Sequence, residues 1–350
     1  MQKNTKTDTR RTQLEQWLQS SPIHAFAPGP FSLEPASADA SFRRYFRVHH
    51  PKGTLIAADA PPDREDNPSF IRVAKRLQAA GVHVPILFAQ DLQKGFLLMS
   101  DLGNTTYLQA LNEATADPLY HQAMDTLVTM QTQTLSQELP LYSGELLYNE
   151  MHLFQEWFLE KHLNLTLSQQ DNATLVKTFE FLKESALQQP CFFVHRDYHS
   201  RNIMVMPHNN PGVLDFQDAV HGPVSYDLAS LLKDCYINWP RARITDWITY
   251  YIRQLESAGG PALQHNQFIT WFDLMAAQRH LKAIGIFARL HLRDGKPDYL
   301  NDIPRVLRYL FDTCRLYKPL EDFLTLLNKY ACEQYDPSVF TPKQRQPLSI

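Results

Sequence analysis

Residues 194–227 read VHRDYHSRNIMVMPHNNPGVLDFQDAVHGPVSYD: a short apolar strand, CFFV, runs into a loop that carries Asp197. Asn202 follows five residues later and opens the strand-like run NIMVM, and GVLDF ends in Asp215. An Asp in a loop, an Asn at a strand start and an Asp at the next strand end describe a hairpin that turns three oxygen-bearing side chains toward one place. Phosphoryl transfer needs that set, with a carboxylate to orient the attacking hydroxyl and amide and carboxylate oxygens for Mg²⁺. Its chemistry is positioning and electrostatics, so no strong protein nucleophile is required. Each residue alone is an ordinary turn former; all three at this spacing, with Asp227 beyond them, argue for a phosphotransfer site.

Other chemistries lack their motifs. His195 and His199 are four apart, but Arg196 stands where H-E-x-x-H needs Glu, and the preceding CFFV is a strand, so His195 is read as a packing residue. GPVSYD is not a nucleophile elbow, and neither a phosphate-binding G-x-x-x-x-G-K-[ST] loop nor a G-x-G-x-x-G turn occurs. Four cysteines in 350 residues form no C-x-x-C pair and no disulfide framework. The formal charge of −3 gives no footprint for nucleic acid. No apolar stretch is long enough to span a membrane, and the basic start MQKNTKTDTRR leads into no signal-like apolar region, so a cytoplasmic protein is expected.

Toward the N-terminus, residues 10–20 place Leu14, Trp17 and Leu18 on one helical face. FSLEP, SFRRYFRV, GTLIAADA, VPILFAQD and KGFLLMSDLG read as strands, interrupted by a helix at about 67–80 that stops at Gly81. Helices are expected over 105–134, 145–163, 171–188, 225–233, 241–258, 266–292 and 299–330. In the third, Leu175, Val176, Phe179, Leu182 and Ala186 make an apolar stripe. The tail from about 333 lacks periodicity and reads as an extended strap. The chain is therefore α+β, with a small antiparallel-sheet lobe over 1–103 and a large, mainly helical lobe over 104–350.

H-x-D-x-x-x-x-N followed by D-F-x-D resembles the catalytic and metal loops of eukaryotic-like kinases. The form HRDYHSRN…LDFQDAVHGPVSYDLASLL is most similar to the aminoglycoside phosphotransferase superfamily of small-molecule kinases, because Asp227 comes twelve residues after Asp215 and leaves no room for a protein-kinase activation segment. ADASFRRYFRV, ADAPPDREDNPSFI, GFLLMSDLG and QRHLKAIGIFARL look like the bacterial cell-wall sugar kinase branch. The resemblance implies a two-lobed protein-kinase-like fold and transfer from ATP, with Mg²⁺, to the anomeric hydroxyl of N-acetylmuramate and N-acetylglucosamine in peptidoglycan recycling. Carried over by position, Asp197 is the base, Asn202 and Asp215 are magnesium ligands, and Asp227 braces the catalytic loop. The SADAS turn, with Ser37 and Ser41, covers the nucleotide phosphates, and the backbone near Met99 to Asp101 holds adenine. An amino sugar is the implied partner; neither nucleic acid, membrane nor an obligate protein partner is.

One departure stands out. The third strand of such kinases ends in a Lys that meets the phosphates; here GTLIAADAPP has Asp59 at that place. Arg44 is the expected replacement. Alternation puts Arg44 with Phe42 and Phe46 on one face and Arg43 with Arg47 on the other. The segment 278–296 carries five Lys/Arg against one Asp. It reads either as a solvated helix face or as a wall for the lactyl carboxylate of N-acetylmuramate, with Arg279 and Lys282 as substrate contacts. Residues 145–184 hold seven acids against three Lys, spaced as helix surface. The alternatives are an aminoglycoside or other small-alcohol kinase, and a nonenzymatic nucleotide-sensing pseudokinase.

Overall fold

The computed structural model describes residues 8–20, 29–36, 42–331 and 335. The whole SADAS turn, Ser37 and Ser41 included, and the expected strap, Tyr335 apart, lie outside them. The chain divides into two compact units, one of Met1–Asn104 with Met204–Asp218 and one of Thr105–Ile203 with Ala219–Ile350.

In the first unit, helix α1 (Thr9–Ser20) precedes strands β1 (Ser32–Pro35), β2 (Arg44–His50) and β3 (Gly53–Asp59). Helix α2 (Asn67–Ala79) then leads to β4 (Leu87–Asp91) and β5 (Phe96–Ser100). The strands form one antiparallel sheet in the order β1-β2-β3-β5-β4. Its register pairs Arg44 with Asp59, and Asp59 with Phe96. With period-2 alternation this puts Phe46, Val48, Leu55, Ala57, Phe96 and Leu98 on one face, and that face forms a core with Leu14, Trp17 and Leu18 of α1. Gly81, at φ +82, ends α2 where the carbonyl groups of Leu77 and Gln78 receive the N–H groups of Val82 and Gly81.

The second unit is mainly helical. It carries α3 (Tyr107–Ala110), α4 (Ala116–Gln133), α5 (Gly144–Leu153), a π-helical continuation over Phe154–His162, and α6 (Gln169–Leu187). Strand β6 (Cys191–Val194) pairs with β9 (Val220–Pro223), a strand that sits in what reads as loop; the chain between them forms the short pair β7 (Ile203–Met204) and β8 (Gly212–Val213), of which Met204 and β8 count with the first unit. Helices α7 (Tyr226–Leu232), α8 (Arg241–Ser257), α9 (His265–Asp294), α10 (Ile303–Leu316) and α11 (Glu321–Tyr330) complete it. The expected helix over 105–134 is broken because the Asn112 side chain accepts from the N–H groups of Ala114 and Thr115. That over 299–330 breaks around Lys318–Leu320, where Pro319 cannot continue the ladder. NIMVM and GVLDF shrink to two residues each. Val176 is exposed, while the rest of its stripe is buried.

Helix α9 runs through the centre of this unit's core. Its Gly285 lies against the α5–π-helix junction, where an added Cβ would overlap the Leu153 carbonyl. Alanine normally gains up to ~1 kcal/mol over glycine in a helix; overpacking against backbone costs about 1–3 kcal/mol and decides the sign. Gly285→Ala should therefore lower the unfolding midpoint in chemical denaturation, and a raised midpoint would show that α9 can shift there freely.

Candidate active site

The loop after β6 is built on one carboxylate. Asp227, buried in the first turn of α7, accepts the His195 N–H at 2.6 Å and the Arg196 N–H at 3.0 Å. Burial pushes its carboxyl up to about 7, against the pull of those two N–H groups and of the Arg279 charge. Arg196 sits at φ +77, a left-handed backbone that a non-glycine residue adopts at a cost. Its carbonyl receives Arg279 Nη1 at 2.6 Å, and its own Nη2 reaches Glu150 at 2.6 Å. Backbone and side chain of Arg196 are both held, and Asp197 is the next residue.

Past Asp197 the loop closes on itself. The Asp197 carbonyl accepts the His199 N–H and the Asn202 side-chain amide, both at 3.0 Å, and the Asn202 N–H reaches the His199 carbonyl at 2.9 Å. The buried Tyr198 hydroxyl anchors the turn to the Ala123 carbonyl of α4. His195 is fully buried, a packing residue as expected, with its ring beside Tyr198. Burial would push the Asp197 carboxyl up; the charges of Lys282, His199, Arg279 and Arg196 overcome it and hold the group at about 2. Asp197 is thus an ionised carboxylate ringed by cations.

Behind it lies a buried network that reading the chain for motifs does not find. Glu150 of α5 receives Arg196, Lys282 at 3.1 Å, Gln278 at 3.3 Å and the Tyr142 hydroxyl. The Arg279 guanidinium lies 4.5 Å over the Tyr226 ring, and Lys282 donates to the Tyr226 hydroxyl at 3.2 Å. Burial pushes the Glu150 carboxyl up, but Lys282 and Arg196 bring it below its ordinary value. By sequence spacing Glu150 reads as one of the acids of a helix surface. The signal lay in its position, three residues after Leu147 and four before Phe154, on the buried stripe of α5.

In the first unit, Asp215 is exposed at φ +64 and receives the Gln217 side chain at 2.9 Å. Phe216 is buried and stacks on Phe70 of α2 at 5.0 Å, which pins the Asp215 backbone to that helix. Arg43 belongs to the same cluster: it lies 4.9 Å over Phe70 and pairs with Glu65 at 3.3 Å. Arg44 does not. Its guanidinium is held by Asp59 at 2.5 Å and by Asp8, on the face that α1 covers, and Arg10 joins the same buried Asp59. The strand end that lacks a Lys serves α1 instead. Met99 is buried in β5, and Asp101 pairs with Arg47 at 2.6 Å and accepts the Gly103 N–H at 2.9 Å. Its carboxyl is desolvated, yet Arg47 and these hydrogen bonds hold it below the ordinary range.

Asn202 and Asp215 offer an amide and a carboxylate, the hard oxygen donors that Mg²⁺ prefers. Among the described residues no cluster of three His, Cys, Asp or Glu is placed to hold a metal ion, and no helix is long and apolar enough to cross a membrane.

The model of the phosphotransferase enzyme family (APH) matches residues 32–265. The chain belongs to that family. It is 47% identical over 310 residues to an N-acetylmuramate/N-acetylglucosamine kinase of Pseudomonas aeruginosa, covering 87% of this chain and 91% of the relative. A protein of the same description from Neisseria meningitidis is 39% identical over 324 residues, covering 91% and 95%. Among solved structures, a choline/ethanolamine kinase family protein from Mesorhizobium loti superposes with a TM-score of 0.62 at 14% identity, covering 90% of this chain and 99% of that one. An amicoumacin kinase solved with AMP-PNP and Ca²⁺ gives 0.57 at 14% identity, covering 87% and 94%. The fold of this phosphotransferase is kinase-like, as its motifs imply.

Glu150→Gln keeps the shape of the side chain but leaves two buried cations short of their anion. Removing one member of a buried pair costs about 3–5 kcal/mol, so urea unfolding should show a loss of that size; a loss under about 1 kcal/mol would mean that water already screens the network. Lys282→Met removes one of the charges that depress Asp197, so the Asp197 carboxyl should rise toward its ordinary value. Activity that needs the ionised form should then fall at a higher pH than in the wild type as the solution is acidified. An acid limb that stays in place would remove Lys282 from this role.

Proposed function

We propose that the chain is an ATP-dependent kinase that phosphorylates the anomeric hydroxyl of N-acetylmuramate and N-acetylglucosamine. The observation that carries this reading is the fixed, ionised Asp197 in the loop that also bears Asn202; the similarity to the two sugar kinases supplies the acceptor. A carboxyl held near pKa 2 is a feeble base toward a resting hydroxyl. Asp197 acts by accepting a hydrogen bond from the sugar hydroxyl and aiming its oxygen. The oxygen bonds to the γ-phosphorus, the bond from that phosphorus to the bridging oxygen breaks, ADP leaves, and the proton passes to Asp197 as the hydroxyl loses electron density. The anomeric hydroxyl is more acidic than an ordinary alcohol, which suits so weak an acceptor.

Asn202 and Asp215 are the proposed Mg²⁺ ligands, and the ion, when bound, supplies neutralising charge to the nucleotide phosphates. Neither strand arginine is uncommitted: Arg44 is held by Asp8 and Asp59, and Arg43 is buried on Phe70 and paired with Glu65, so neither is put forward for the phosphates. Backbone N–H groups of the SADAS turn and of the Met99–Asp101 segment are the proposed contacts to phosphate and adenine. ATP as donor implies a cytoplasmic site of action. A polycationic aminoglycoside is disfavoured by Arg196, Arg279 and Lys282 around Asp197, and a pseudokinase by the fixed, ionised state of that carboxylate.

The test is phosphorus NMR of the product formed from each sugar with MgATP, where a phosphate on the anomeric carbon is expected. Asp197→Asn should lower turnover by roughly 10²–10⁴-fold and leave MgATP affinity, read by calorimetry, within about threefold. Turnover near that of the wild type would sink the role of Asp197, and turnover of kanamycin-like polycations with none of either sugar would overturn the acceptor.

A further inference from the structure

Four cations surround the Asp197 loop, and three are accounted for. Arg196 and Lys282 share Glu150, and Arg279 donates to the Arg196 carbonyl. The fourth, Arg201, stands immediately before Asn202. Its guanidinium lies 3.8 Å over the ring of Tyr236 and 5.9 Å from that of Tyr299. Among the described residues no carboxylate comes within ion-pair distance of it, and it is half-buried rather than out in solvent.

The platform beneath Arg201 is built, not incidental. Asp234, itself buried, accepts the Ser200 N–H at 2.9 Å and the Ser200 hydroxyl through one oxygen, and the Tyr236 N–H at 3.0 Å through the other. One carboxylate therefore locks the residue before Arg201 to the residue on which Arg201 stacks. His199 packs edge-on against the same Tyr236 ring at 5.6 Å, which ties the platform to the loop that carries Asp197. Phe287 of α9 meets both tyrosines and fixes their spacing. A guanidinium lying on an aromatic face keeps its N–H groups in the plane and directed outward, the geometry that grips a carboxylate with two parallel hydrogen bonds.

We propose that Arg201, stacked on Tyr236, binds the lactyl carboxylate of N-acetylmuramate and so sets the preference between that sugar and N-acetylglucosamine, which has no carboxylate. The inference rests on the sugar-kinase reading above. It transfers to Arg201 the role that residue types alone suggested for Arg279 and Lys282, both of which serve the Asp197 loop from behind. The expected effect is on specificity: a charge-assisted contact is worth about ten- to a hundredfold in affinity, and it is available to one of the two substrates only.

The experiment measures kcat and KM for both sugars in the wild type, Arg201→Met and Arg201→Lys, with unfolding midpoints alongside. Arg201→Met should lower kcat/KM for N-acetylmuramate about ten- to a hundredfold, mainly through KM, with a much smaller loss for N-acetylglucosamine; Arg201→Lys should fall between. If Arg201→Met does not fold, wild-type protein answers instead: N-acetylmuramate with its carboxyl amidated should show the same drop relative to the free acid. Equal losses for the two sugars, no loss, or equal use of acid and amide would overturn the inference while leaving the kinase reading intact. Wild-type protein inactive on both sugars would overturn the kinase reading, and this inference with it.

Discussion

The two hydrogen bonds from the backbone of His195 and Arg196 to Asp227 set the geometry of the loop that carries Asp197. A left-handed non-glycine residue costs on the order of 1 kcal/mol or more, and each hydrogen bond to the buried Asp227 carboxyl returns about 1 kcal/mol or more. The balance favours the strained backbone as long as Asp227 faces it. With Arg196 at φ +77, its carbonyl meets Arg279 and its side chain meets Glu150, so one strained residue gathers α5, α7 and α9 around a single loop. Losing any of these contacts leaves a buried charge or a buried donor without its partner, which is why the network acts as a unit.

The first unit resolves its charges in another way. Asp59 is fully buried at the end of β3, a position that desolvation would make costly for a lone carboxylate. Arg10 from α1 and Arg44 from β2 both reach it, so the ion cluster fastens the helix to the sheet where hydrophobic packing by Leu14, Trp17 and Leu18 ends. Because side chains alternate across a strand, giving Asp59 and Arg44 to the α1 face leaves Arg43 and Arg47 on the other. There Arg47 ties down Asp101 at the end of the sheet, and Arg43 lies on Phe70, which in turn holds Phe216 beside Asp215.

These two clusters mark what could and could not be read from the chain. Asp197, Asn202, Asp215 and Asp227 are close in sequence and have fixed spacings, so a local pattern links them, and Asp227 accepts the N–H groups of His195 and Arg196. The antiparallel sheet and most helices followed from period 2 and period 3.6. Glu150 and Arg196 are 46 residues apart and Arg10 and Asp59 are 49 apart; no local pattern links such pairs, and a Glu on a helix reads as surface until its neighbours at three and four residues are examined. The face of β3 was likewise undecidable, because Asp59 looks the same whether α1 or a nucleotide stands opposite. Helix breaks at Asn112 and Pro319 were legible in principle, since both residues compete with or interrupt the ladder.

The charge pattern around Asp197 joins structure to chemistry. The whole chain is slightly negative, yet Arg196, Arg279 and Lys282 surround this carboxylate, with Glu150 pairing two of them and Asp227 close to the third. A cationic low-dielectric pocket draws anionic reactants and repels polycations. The same charges depress the carboxyl of Asp197, which trades strength as a base for certainty of being ionised and directed. That trade suits the proposed reaction, in which the acceptor hydroxyl is unusually acidic and the donor is a polyphosphate. A more basic Asp197 would need fewer cations near it, and fewer cations would weaken the field that favours anionic substrates. The low pKa of Asp197 and the local positive field are therefore two consequences of one arrangement of Glu150, Arg196, Arg279 and Lys282, and a substitution in it moves both together.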